Sequence, residues 1–92
     1  MTLTRTPLER LGLAYAEARK RNLGIIYCSV SGFGQDGPYR DRAALDLILQ
    51  AESGMISVTG EEGGRGVRAG TSIADMTAGM YAAFGIMLAL RV

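Results

Sequence analysis

Asp75 is the residue whose type and setting could do covalent chemistry. It stands in Ser72-Ile73-Ala74-Asp75, ahead of a segment with no charge from Met76 to Leu90. The pattern fits a capping box, with Ser72 as N-cap and Asp75 at the third helical position. The same geometry suits a nucleophile. A carboxylate in the first turn is favoured by the positive helix end and can attack a carbonyl carbon. Capping and attack do not exclude each other, so both readings stand at this point.

Other motifs are weaker. Gly32, Gly34 and Gly37 match G-x-G-x-x-G after a predicted strand, the spacing of a dinucleotide fingerprint. Pro38 then stands where a helix should be under way, and no acidic residue ends a second strand downstream. A tight loop is the better account. "GEEGGRG" lacks the Lys-Ser/Thr of a phosphate loop and reads as a surface turn. Arg40, Asp41 and Arg42 could bind phosphate groups, although such charges are more often solvated or weakly paired. The cluster Arg19, Lys20 and Arg21 reads as a solvated helix end.

Composition excludes several classes. There is no histidine, which removes His-based triads, His general bases and His-containing metal sites, and no metal site is expected. The one cysteine, Cys28, sits in the apolar run "IIYCSV" and is expected to be a buried, reduced thiol. A net charge of +1 gives no electrostatic case for nucleic acid or an anionic membrane. The N-terminal residues do not form a secretory leader pattern.

The elements that must position these groups follow from periodicity and turn residues. Residues 7–22 read as helical, with Thr6 as N-cap, Pro7 at the first position and Glu9 completing a capping box. Gly12 breaks this span into a short turn and a second helix from about Ala14; Asn22 and Gly24 stop it. Residues 25–30 read as a buried, parallel strand. Residues 32–42 form a glycine loop and 44–54 a helix. In that helix Leu45, Ile48 and Leu49 make an apolar stripe, with Asp46, Gln50 and Ser53 on an opposing face. Residues 57–71 are turn-rich with a short strand or two, and 72–90 form the apolar helix. Helix then buried strand indicates an α/β architecture.

The last helix needs a partner. Gly79, Ala82, Ala83 and Gly85 mark close backbone packing, and an all-round apolar helix is a buried one. Asp75 and Arg91 bracket it too closely for a membrane span of about 20 residues. Ninety-two residues can hardly wrap it. The chain reads as a partial domain or an obligate oligomer, and a non-catalytic interaction module is the rival to an enzyme.

In this order and spacing, "PLERLGLAYAEARKRN", "IIYCSVSGFGQDGPYRDR", "DLILQAESGMISVTGE" and "GTSIADMTAGMYAAFGIMLALR" closely resemble family III CoA-transferases, a family that includes alpha-methylacyl-CoA racemases. The resemblance covers residues 7–92. It implies a fragment of a Rossmann-like large domain, an interlocked homodimer and a cytoplasmic setting. It implies coenzyme A as substrate, with no permanently bound cofactor. The partners would be an acyl-CoA and a carboxylic acid acceptor, with no nucleic acid and no membrane. The family nucleophile falls on Asp75, which would form an acyl anhydride and then a CoA thioester. Backbone N–H groups of the last helix are candidate oxyanion donors. Asp46, Leu45, Gly34, Gln35 and Arg42 are implied as substrate- or CoA-pocket residues. Leu45 stands where the racemases carry an acid/base histidine, which disfavours racemisation. The 92 residues alone are expected to be inactive.

Overall fold

The computed structural model describes residues 5–92. Four α-helices occur in order: α1 (Arg5–Arg10), α2 (Tyr15–Arg21), α3 (Asp46–Glu52) and α4 (Ile73–Arg91), with a 3-10 turn at Ile56–Val58 between the last two. The expected helix over 7–22 is thus two helices. The break falls at Gly12, as its position in the sequence suggested. The threonine nominated as the cap, Thr6, lies within α1. α2 ends at Asn22, whose Oδ1 accepts from the Gly24 N–H at 3.0 Å.

The strand expected over 25–30 does not form. Among the described residues there is no strand at all, so the segment has no ladder to join and the α/β architecture is not seen in this chain. A strand is a paired object, and its backbone donors need a neighbour. Cys28, expected to be buried, is exposed for the same reason: nothing covers the segment. The turn-rich region also forms no strand. It closes instead by one backbone bond, Val67 N–H to Thr59 O at 2.9 Å.

α3 packs against α4 and against the 3-10 turn. The inward face of α3 is the polar one. Gln50 is 1% exposed, the sole buried residue among those described, whereas Leu45 is 66% exposed and Leu47 and Ile48 also face outward. Of the apolar stripe expected to pack, Leu45 and Ile48 remain uncovered, and only Leu49 is half-buried. α4 buries none of its residues: Met76, Met80, Tyr81, Phe84, Met87, Leu88 and Leu90 are all exposed. The small residues expected to seat a neighbour have none here; a Cβ at Gly79 or Gly85 would meet no atom within 4 Å. By length and composition α4 could cross a membrane. Its uncharged stretch, Met76–Leu90, rises only about 22 Å, shorter than a hydrocarbon core of about 30 Å.

No apolar side chain among the described residues is buried. Hydrophobic burial is the main term that offsets a backbone ordering cost of roughly 1–2 kcal/mol per residue. The chain on its own is therefore expected to melt without a cooperative transition in thermal circular dichroism. A sharp, concentration-independent transition of residues 1–92 would contradict this.

Candidate active site

Asp46 opens α3 and lies against the first turn of α4. Its Oδ1 accepts from the Asp75 N–H at 2.9 Å, and its Oδ2 accepts from Gln50 Nε2 at 2.5 Å. The Gln50 pair is an i,i+4 contact on one helix face. The amide's other end, Oε1, accepts from the Ala69 N–H at 2.8 Å. One chain of hydrogen bonds thus runs from the 69–72 segment through Gln50 and Asp46 to the head of α4.

This arrangement replaces the expected capping box. Ser72 holds the N-cap position but makes no side-chain cap bond. Early N–H groups of α4 nevertheless find acceptors. Ile73 donates to Thr71 O at 2.8 Å and Asp75 to Asp46, while Met76 makes the first intrahelical bond, to Ser72 O at 3.0 Å. The Asp75 N–H is therefore committed to Asp46 and is not an open oxyanion donor.

The Asp75 N–H bond is the largest influence holding the Asp46 carboxyl below the usual aspartate range. Desolvation opposes it, and Gln50, Ala74 and the positive Arg68 act in the same downward direction as Asp75. A carboxylate stabilised by donors to its charged form behaves in this way.

With the cap supplied by α3, the Asp75 side chain makes no hydrogen bond among the described residues. It lines a recess of about 250 Å³ with Val30, Ser31, Gly32, Ala44, Leu49, Ala74 and Ala78. Asp75 therefore lies beside the loop that starts at Gly32, and its N–H is bonded to Asp46. The recess is small-residue lined. Gly32 is tight against Ala44, whose Cβ stands where a Cβ on residue 32 would fall.

The other candidates are dispersed. Gln35 Nε2 donates to the Ser31 Oγ at 3.1 Å, which links it to the recess by one residue, but Gln35 itself lines a second hollow of about 790 Å³ with Tyr15, Tyr27 and Asp36. Gly34 turns the loop with φ +86°. Arg42 lies over Tyr39, 4.4 Å from the ring centroid, and over Phe33 at 5.4 Å; its Nη2 is 3.8 Å from Glu52 Oε1. These contacts hold the loop to α3 and do not place the guanidinium in the recess. Leu45 precedes α3 as an exposed residue outside the recess lining. The importance of Gln50 was missed as a site feature. Its signal was the Asp46–Gln50 spacing on a helix face that pattern reading sent outward.

A free carboxylate beside a small-residue recess at the head of an apolar helix is a setting for acyl-group chemistry. By fold, the chain is similar to a CaiB/BaiF family protein from Brucella suis, with a TM-score of 0.91 and 35% identity over 97% of this chain and 24% of that one. The family model for CoA-transferase family III matches residues 2–92, and the chain belongs to that family. It is 45% identical over 86 residues to a succinate–glutarate CoA-transferase of Agrobacterium fabrum, covering 94% of this chain and 22% of the relative. It is 41% identical over 83 residues to a human succinyl-CoA:glutarate CoA-transferase, covering 90% and 19%. The chain thus spans about a fifth of the length of these curated relatives.

Two outcomes test this geometry in the complete polypeptide that carries the segment. Because the folded Asp46 pKa is lowered, its stabilisation of the α4 start is present above the ordinary aspartate pKa of about 3.9 and is lost as pH falls through the lower folded value. Amide-exchange protection at Ala74 and Asp75 is expected to disappear over that acidic window, and at all pH values in Asp46→Ala; unchanged protection in the variant would contradict the cap. Gly32→Ala is expected to destabilise by about 1–3 kcal/mol through overpacking against Ala44. Chemical denaturation checks this, and a neutral result would show that the loop relaxes freely.

Proposed function

We propose that this segment supplies the acyl-accepting carboxylate, Asp75, of an enzyme that moves coenzyme A from an acyl-CoA thioester to a carboxylic acid. The observation that carries the proposal is the Asp46 cap. It takes over the α4 N-terminus and leaves the Asp75 side chain without a structural duty, beside a recess.

A carboxylate oxygen of Asp75 attacks the thioester carbonyl. The carbon–sulfur bond breaks, CoA leaves as thiolate, and a mixed anhydride remains on the enzyme. The thiolate attacks the aspartyl carbonyl, which releases the donor acid and leaves an aspartyl-CoA thioester. The acceptor carboxylate attacks this thioester and expels the thiolate again. The thiolate finally attacks the acceptor acyl carbon and restores the Asp75 carboxylate. The energy of the thioester is conserved through the anhydrides, and one difficult exchange becomes several easier ones.

The relatives' names pair succinyl thioesters with glutarate, citramalate or malate, and formyl or acetyl thioesters with oxalate. All four acceptors are dicarboxylic acids, and a small dicarboxylate is the acceptor class we infer. Leu45 has no proton to move, so racemisation is not part of the reading. An anhydride must be shielded from water. The exposed apolar side of α4 supports a covered active form, in which a second copy or further family segments lie over it. The 92 residues alone are inferred to be inactive, because positioning can carry ~7–11 kcal/mol of a barrier.

Incubation of the complete polypeptide with succinyl-CoA and hydroxylamine is expected to convert Asp75 to its hydroxamate, read by peptide mass. Asp75→Asn is expected to lower transfer by about a thousandfold or more, as loss of a covalent nucleophile does. Transfer by Asp75→Asn at the unaltered rate would end the proposal.

A further inference from the structure

The sequence and the structure give two different ways to cap α4. In one, Ser72 and Asp75 serve each other: the Ser72 hydroxyl takes the Asp75 N–H, and the Asp75 carboxylate reaches back to the Ser72 N–H. In the other, which the structure adopts, Asp46 takes the Asp75 N–H and the serine hydroxyl makes no cap bond. The first scheme consumes the Asp75 carboxylate. The second leaves it available. Whatever biases the choice controls the supply of a reactive side chain.

Gln50 is placed to provide that bias. It is 1% exposed, and both ends of its amide are engaged. The orientation is fixed by chemistry. A carboxylate only accepts and a backbone N–H only donates, so reversing the amide would put oxygen against Asp46 and nitrogen against the Ala69 N–H. The Ala69 bond therefore dictates which end of Gln50 meets Asp46. Gln50 Nε2 then holds one Asp46 oxygen, and the other is turned toward Asp75. A neutral donor achieves this without cancelling the Asp46 charge at the positive end of α4. The charged side chain that acts on Asp46 is Arg68, in the loop before α4; Asp75 acts on it through its backbone N–H.

We propose that Gln50 is a positioning residue for the reaction: it fixes the Asp46 carboxylate as the α4 cap and so excludes the reciprocal Ser72–Asp75 cap that would occupy the acyl acceptor. This inference rests on the reading of Asp75 as that acceptor. Gln50 touches no reacting atom and acts only through Asp46.

The test is Gln50→Glu in the complete polypeptide. The new oxygen faces an Asp46 oxygen, so the pair must share a proton or part. At neutral pH kcat is expected to fall roughly ten- to hundredfold, the effect of a small misplacement, while KM for acyl-CoA stays within about twofold. As pH is lowered from neutral the pair takes up one proton, and kcat is expected to recover toward the native value. A native kcat and pH profile in Gln50→Glu would overturn the proposal, and so would a loss of kcat equal at every pH. Should Gln50→Glu fail to fold, Gln50→Met, of similar length and with neither hydrogen bond, is measured instead. Its Asp75 hydroxamate is expected to form at least about tenfold more slowly at all pH values, and trapping at the native rate would overturn the proposal. Failure of the native protein to form that hydroxamate would overturn the acceptor reading and this inference together. Normal trapping with indifferent Gln50 variants would overturn only the latter.

Discussion

The Asp46 carboxylate, divided between the Asp75 N–H and the Gln50 amide, is the interaction on which the rest depends. It joins α3 to α4 without an apolar interface, since neither helix buries a hydrophobic residue. It satisfies donors that a helix start must otherwise leave to water or to its own cap. Above all it separates two duties that the sequence had placed on one residue. Asp46 carries the structural charge, and Asp75 keeps a side chain with no partner among the described residues. The arrangement holds Asp75 by its backbone and leaves its carboxylate oxygens without a partner among the described residues, which is what the proposed role asks of it.

The recess follows from the same contact. Where the loop passes α3 and α4 the contacts are made largely by small residues: Gly32 against Ala44, with Ala74 and Ala78 on the helix side. Arg42 steadies the loop from the outside by lying over Tyr39 and Phe33, an arrangement worth about 0.5–1 kcal/mol at an exposed site. The apolar surface of α4 stands in contrast. It contributes nothing to stability until another surface covers it, and in the proposed mechanism the same cover would keep water from the anhydride.

Much of the local order was legible in the sequence because it rests on local rules. Gly12 broke the first helical span, Asn22 and Gly24 ended it, and α4 began beside Ser72. The resemblance implied Asp46 only as a pocket residue; its bond to the Asp75 N–H is seen in the structure alone. What was not legible depends on partners distant in sequence. Residues 25–30 have strand composition but no neighbour to pair with, so Cys28 is exposed. The α3 faces were assigned by hydropathy, and the inward face proved polar because its neighbour offers backbone donors at Ala69 and Asp75 rather than apolar side chains. The Ser72–Asp75 capping box obeyed every local criterion and lost to a carboxylate 29 positions earlier in the chain. Of the oxyanion donors expected at the head of α4, the Asp75 N–H is taken by that same carboxylate.

The division of labour between the two aspartates can be read directly with an isotope. An acceptor acid carrying oxygen-18 in its carboxylate, passed through one round of transfer from succinyl-CoA in the complete polypeptide, should leave one labelled oxygen on the enzyme. The expected result is label in the Asp75 carboxyl and none in Asp46. Label in Asp46, or in neither residue after transfer has occurred, would contradict the assignment of Asp46 as cap and Asp75 as acyl acceptor.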